Sequence, residues 1–80
     1  MGIEDFYDYF KNKSIEEIIT YMLSKNWSVS IESTPSSTTI TLVKDFYITY
    51  KETIKEVNNL KETLISLCSN TLYTELKNIF

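Results

Sequence analysis

The 80-residue chain has no alanine, arginine, glutamine or histidine, and only one each of glycine, proline and cysteine. Without histidine, the usual general base at neutral pH and the commonest transition-metal ligand are both missing, and neither a Ser–His–Asp nor a Cys–His arrangement can be assembled. Gly2 and Pro35 alone leave no glycine-rich loop to cradle phosphates and no dinucleotide fingerprint. Cys68 alone excludes an internal disulfide, a zinc knuckle and a CxxC redox pair, and its apolar helical neighbours predict a reduced, buried thiol in a cytosolic protein. No apolar run approaches the roughly 18 residues that read as a spanning helix. The opening MGIEDFYDYF carries acids where a secretory signal carries basic residues, so the expectation is a cytoplasmic protein without a membrane span.

What is present reads as an ordinary globular chain, with 42% apolar and 24% charged residues. A fold of this size buries only about 60% of the surface its unfolded chain exposes, so residues 1–80 are expected to form one domain around one core. Heavy use of Ile, Thr, Ser, Lys, Asn and Tyr fits an AT-rich coding sequence, as in a low-GC bacterium or one of its phages.

Ile3, Phe6, Tyr7 and Phe10 fall at i, i+3, i+4 and i+7 and predict a short helix, with Glu4, Asp5 and Asp8 off the stripe and early enough to complement the helix dipole. Lys11-Asn12-Lys13 reads as a break. Ser14 and Glu17 are spaced as a capping box, and Ile15, Ile18, Ile19, Met22 and Leu23 continue a second helix that Asn26 can terminate. The period then becomes two. Trp27, Val29 and Ile31 alternate with Ser28, Ser30 and Glu32, and after a Ser33–Ser37 loop Ile40 and Leu42 alternate with Thr39, Thr41 and Val43, which predicts an antiparallel hairpin. Residues 46–50, FYITY, favour a third strand by their aromatic and β-branched content, although Phe46, Tyr50, Ile54 and Val57 also fit the face of a helix extended backwards.

From Lys51 a long helix is expected, with Thr49 and Glu52 as its capping box and Ile54, Val57, Leu60, Leu64, Leu67 and Cys68 along its stripe. Ser69-Asn70 can end it, and Leu72, Leu76, Ile79 and Phe80 outline a short last helix. The expected fold is α+β, in the order α-α-β-β-β-α-α, with a small three-stranded antiparallel sheet flanked by helices. Trp27, Ile31, Leu42 and Ile48 would be buried against the long helix.

The carboxylate pairs Asp5/Asp8 and Glu52/Glu56 are the remaining candidates for a hard cation or an acid–base pair, but both read as solvated helix faces without the spacing or turn glycine of a calcium loop. None of the eight lysines falls on an apolar stripe, so no desolvated lysine nucleophile is expected. The expectation is therefore a non-enzymatic protein with no metal and no cofactor.

The order helix–strand–strand–strand–helix is similar to that of double-stranded-RNA-binding domains, a family that holds phosphates with a basic cluster at the start of its last helix. The corresponding stretch here, Lys51-Glu52-Thr53-Ile54-Lys55-Glu56, matches each lysine with a glutamate. The net charge of −3 also argues against direct nucleic-acid binding.

In Glu4-Asp5-Phe6-Tyr7-Asp8-Tyr9-Phe10, acids and aromatics interleave on one short helix. Tyrosines supply large contact area with few torsions to freeze, and neighbouring acids steer association with a basic groove. Against this, each residue taken alone reads as ordinary structure, with Phe6 and Phe10 as core, Tyr7 and Tyr9 covering it and the acids solvating the helix. Glu4, Asp5, Tyr7, Asp8 and Tyr9 form the candidate partner-binding set. Two further surfaces are the hydroxyl-rich outer sheet face of Ser28, Ser30, Thr39, Thr41, Tyr47 and Thr49, and the stripe of the long helix, which would support a homodimer.

With the acidic opening Glu4, Asp5 and Asp8 and a helix-flanked antiparallel sheet, the chain resembles phage-encoded anti-defence proteins, among them anti-CRISPR inhibitors that occupy basic nucleic-acid channels. Eight lysines offset eleven acids, which limits that resemblance to a local acidic patch. It implies an inhibitor or adaptor acting by contact on a host protein, such as a nucleic-acid-binding effector, in the host cytoplasm. The alternatives are a small self-associating structural subunit and a divergent nucleic-acid-binding domain.

Overall fold

The computed structural model describes residues 2–44, 48–54 and 59–78. The first helix, α1, spans Ile3–Phe10 and begins where the Gly2 amide donates to the Asp5 carboxylate at 2.9 Å. It places Phe10 in the core, with Ile3 and Phe6 half-buried beside it. The second helix, α2, spans Ile15–Ser24 and opens with the expected capping box: the Glu17 amide donates to Ser14 Oγ and the Ser14 amide to Glu17 Oε1, both at 3.1 Å.

α2 ends in a Schellman motif. Asn26 takes a left-handed φ of 69°, its amide donates to the Leu23 carbonyl at 3.0 Å, and the Trp27 amide donates to the Met22 carbonyl at 2.9 Å. Asparagine tolerates this backbone better than most residues, so the expected terminator acts as one. The reversal carries Trp27 into the core beside Met22, where it is 1% exposed.

Strand β1, Ser28–Ser33, pairs antiparallel with β2, Thr38–Lys44, which pairs antiparallel with β3, Ile48–Ile54. The strand order is β1-β2-β3. The Thr34–Ser37 loop closes on itself, because Thr34 Oγ1 accepts from the Ser37 amide at 3.1 Å and the Thr34 amide donates to the Ser37 carbonyl at 2.8 Å. The register puts Val29, Leu42 and Tyr50 in one row, with Ile31, Ile40 and Glu52 in the next, all on the helix-covered side. Ser28, Ser30, Glu32, Thr39, Thr41, Val43, Thr49, Lys51 and Thr53 occupy the open side.

The third strand therefore runs further than 46–50 suggested, and the helix expected from Lys51 is absent over 51–54. Ile48, Thr49, Thr53 and Ile54 are β-branched and Tyr50 is aromatic, and pairing along all seven residues of β2 prevails over the helical spacing and over the Thr49/Glu52 capping box. The backward-extended helix is likewise overturned over 48–54. The expectations for the Ile48 side chain, Phe46, Tyr47, Lys55, Glu56, Val57, Ile79 and Phe80 lie outside the described residues.

Helix α3 runs unbroken over Leu60–Asn78, so Ser69-Asn70 does not end it, and the order is α-α-β-β-β-α. Leu64, Ile65, Cys68 and Leu72 are buried on both sides of the expected break, and Ser69 between them is 0% exposed. A serine enclosed in this way holds no solvated turn that would release the helix. α3 packs over β3 and against α1, and α2 packs over β1. The core joins Phe10, Ile18, Met22, Trp27, Ile40, Leu42 and the buried residues of α3. Ile31, expected to be buried, is only half-buried because β1 is an edge strand.

A candidate partner-binding surface on α1

All five residues of the candidate set, Glu4, Asp5, Tyr7, Asp8 and Tyr9, are exposed, but the fold divides them. Residues two apart on a helix project about 200° apart. Tyr7, 41% exposed, lies toward α3 and borders a shallow depression with Lys11, Lys61, Glu62 and Ile65. Tyr9, 47% exposed, lies toward α2, where its ring centroid is 5.0 Å from that of Tyr21 and 5.5 Å from that of Phe10. Lys13 Nζ stands 5.1 Å from the Tyr9 centroid and Lys25 Nζ 5.6 Å from that of Tyr21, within cation–π range.

The acids have separate engagements. Asp5 caps α1 through the Gly2 amide, and Asp8 Oδ1 is 3.4 Å from Lys11 Nζ on an exposed helix turn. A pair this exposed contributes little to stability, but it offsets one of the three acidic charges that would steer a basic partner. Lys61 Nζ also reaches the Lys11 carbonyl at 3.5 Å, bringing another cation to the C-terminal end of α1. Only Glu4 of the three acids has no such engagement among the described residues.

Between α1 and α2 lies an open groove of about 460 Å³ bordered by Tyr9, Lys13, Glu16, Glu17, Thr20 and Tyr21. The Glu17 carboxyl is held below the usual range, first by the Ser14 backbone amide and then by the Ser14 hydroxyl. The role of Tyr21 escapes a reading by stripes. It sits beside the apolar positions of α2, and the available signal was that a large aromatic off the stripe needs a neighbour to cover it.

A second groove, of about 340 Å³, lies between β3 and α3, bordered by Glu52, Asn59, Glu62, Thr63, Ser66, Leu67 and Asn70. Among the described residues no three His, Cys, Asp or Glu side chains come together in a metal-binding group. Burial pushes the Cys68 thiol up to about 12, which removes its nucleophilic form at neutral pH. Lys44 corrects the expectation that no lysine shares an apolar face. It continues the Ile40–Leu42 face of β2, where its ammonium pairs with Glu75 of α3 and stands 5.6 Å from the Trp27 ring centroid. A lysine at a strand end reaches a partner that a mid-strand lysine would lack.

No helix among the described residues is long and apolar enough to cross a membrane. No protein-family model matches the chain, and no curated protein or solved structure matches it either.

Proposed function

We propose that this chain is a non-enzymatic interaction protein that inhibits or adapts a host protein by surface contact, with α1 as its contact element. The observation that carries this reading is the exposure of Tyr7 and Tyr9, at 41% and 47%, in a fold that buries Phe10 and Trp27 completely or nearly so. Large aromatic side chains left in water are the residues that contribute most when a partner desolvates them. Their placement on opposite flanks of α1 makes the whole outward helix the epitope, with Glu4 and Asp8 between them.

Tyrosine burial supplies the affinity in this reading, and charge contributes orientation. Glu4, Asp5 and Asp8 are interspersed with Lys11, Lys13 and Lys61, so a partner groove with mixed charge fits better than a uniformly basic channel. The anti-defence reading, with a nucleic-acid-binding effector as target, rests on the acidic part of this surface and is the finer form of the same proposal.

Affinity capture from a low-GC bacterial lysate tests it, using the wild type, Tyr7→Ser/Tyr9→Ser, and Glu4→Lys/Asp8→Lys, each first shown to keep the wild-type circular dichroism. The expected result is a specific protein lost with the tyrosine variant and weakened with the charge variant. Equal recovery of that protein by all three removes α1 from the mechanism. Catalytic turnover by the purified chain, abolished by a single substitution, would refute the non-enzymatic assignment.

A further inference from the structure

The apolar stripe of the long helix, a candidate for self-association, is taken up by the fold, since Leu64, Ile65, Cys68 and Leu72 are buried in the core and Leu60 and Leu67 pack against it. The groove between α1 and α2 stays open, with Tyr9, Glu16, Glu17, Thr20 and Ser24 all exposed along it. Its aromatic wall is set from behind. The buried Phe10 ring meets both tyrosines edge-on, with centroids 5.5 Å from Tyr9 and 5.4 Å from Tyr21, and the two tyrosine rings lie 5.0 Å apart at 51° to each other. Rings held by a core side chain need little further ordering when a ligand arrives.

Each ring already attracts a cation of the chain itself, because Lys13 Nζ stands 5.1 Å from the Tyr9 centroid and Lys25 Nζ 5.6 Å from that of Tyr21. The polar atoms around the rings are acceptors. Thr20 Oγ1 donates its hydrogen to the Glu16 carbonyl at 2.9 Å and Ser24 Oγ donates to the Tyr21 carbonyl at 2.6 Å, so both hydroxyls keep only lone pairs for an incoming group. The Glu16 carboxylate has no hydrogen-bond or ion-pair partner among the described residues, and Glu17 commits only Oε1, to the Ser14 amide. Two aromatic faces amid acceptor oxygens fit a planar cation rich in N–H donors. An ammonium is a compact, strongly hydrated point charge, whereas a guanidinium stacks on a ring while its N–H groups reach carboxylates beside it. The chain has no arginine of its own, so a guanidinium here comes from another protein.

We infer that the α1–α2 groove receives an arginine side chain of the partner, stacked against Tyr9 and Tyr21 in place of Lys13 and Lys25 and hydrogen-bonded to Glu16 and the Thr20 and Ser24 hydroxyls. The inference rests on the contact role proposed for α1 and names the chemistry of recognition on its Tyr9 flank. The displaced ammoniums return to solvent, and the guanidinium takes over the carboxylate charge that they had balanced.

Amide chemical-shift titration of the full chain tests this, with the blocked peptide acetyl-Gly-Arg-Gly-amide as probe and its lysine and citrulline counterparts as controls. The arginine peptide is expected to shift Tyr9, Glu16, Thr20 and Tyr21, to bind more tightly than the lysine peptide, and to exceed the isosteric but uncharged citrulline peptide by at least about tenfold in Kd. Glu16→Gln and Tyr9→Leu, both at exposed positions and each checked by circular dichroism, should weaken the arginine peptide by about two- to fivefold, and Tyr7→Leu on the other flank should leave it unchanged. No shift in the groove, equal binding of the three peptides, or binding indifferent to both Glu16→Gln and Tyr9→Leu overturns the inference, as do arginine-specific shifts centred on Tyr7 and Glu62 instead. Such a failure, with capture still lost in Tyr7→Ser/Tyr9→Ser, removes the arginine and leaves α1 as the contact element. Arginine-specific shifts in the groove, with capture indifferent to the α1 variants, remove α1 as the contact element and leave the groove an arginine site.

Discussion

Helix α2 meets the rest of the fold along one flank, with Ile18 and Met22 buried and Glu16, Glu17, Thr20 and Leu23 left in solvent. Helix α3 is enclosed over consecutive turns, where Leu64, Ile65, Cys68, Ser69, Thr71 and Leu72 are all buried between the sheet and α1. The difference lies in how many sides a helix is packed from. A helix covered on one side needs a stripe of large apolar residues. A helix covered on several sides needs small residues where neighbours approach closely, even if they are polar. Ser69 Oγ and Thr71 Oγ1 are buried with no hydrogen-bond partner among the described residues, which is the cost of using small hydroxyl side chains as spacers.

This contrast can be tested by substitution, beginning with the largest effect. Leu64→Ala, at a fully buried site on α3, is expected to lower the unfolding free energy by about 2–5 kcal/mol in urea titration, a large share of what an 80-residue domain has. Ser69→Leu should cost about 1–3 kcal/mol by overpacking, whereas Thr20→Leu on the open flank of α2 should stay within about 0.5 kcal/mol. Equal effects of these two leucines would erase the distinction between the helices.

Alkaline stability gives a finer probe of the enclosure. Cys68 is raised from 9.0 to about 12 by burial, so between those values the unfolded chain ionises its thiol while the folded chain keeps its proton. The contribution of this group is therefore complete below pH 9 and is lost as pH rises toward 12, by up to about 1.4 kcal/mol per pH unit. Thermal melts of Cys68→Ala should show a shallower alkaline decline than the wild type.

On α2, Ser14→Ala should cost about 1 kcal/mol by removing the N-cap. The same change should flatten the acid limb of stability, since the depressed Glu17 contributes above its unfolded value and loses that contribution as pH falls through its folded one. The smallest expected effect is that of Ser69→Ala, neutral or slightly stabilising because it deletes a buried hydroxyl without a partner. A large loss from Ser69→Ala would mean that the hydroxyl is satisfied within the fold.

Both ends of α2 could be read from adjacent residues. Ser14 and Glu17 bond each other's backbone, and Asn26 adopts the left-handed turn, in interactions that span at most a few positions. The β1–β2 hairpin was equally local, because alternation on both sides of the Thr34–Ser37 loop fixes which faces turn inward. The boundary between β3 and α3 was not legible. Residues 51–54 carry helical spacing and strand-forming side chains at once, and the unsatisfied edge of β2, more than twelve residues away for Thr38, settles the choice. In the candidate site, the exposure of Tyr7 and Tyr9 fits the interleaved pattern, but their separation by the Tyr21 contact on one flank and the α3 depression on the other depends on neighbours that α1 does not encode.

The chain alone thus determined its chemical inventory, the start and stop of α2, the inward faces of β1 and β2 and the content of the α1 surface. These are matters of composition and of contacts within one or two turns. Tertiary structure decided the length of β3, the continuity of α3 through Ser69 and Asn70, the partial exposure of Ile31 at an edge and the exposure of Leu23 on α2, and the pairing of Lys44 with Glu75. Each of these depends on a partner brought near only by folding, where satisfying backbone hydrogen bonds and filling volume outweigh the preferences of a short segment.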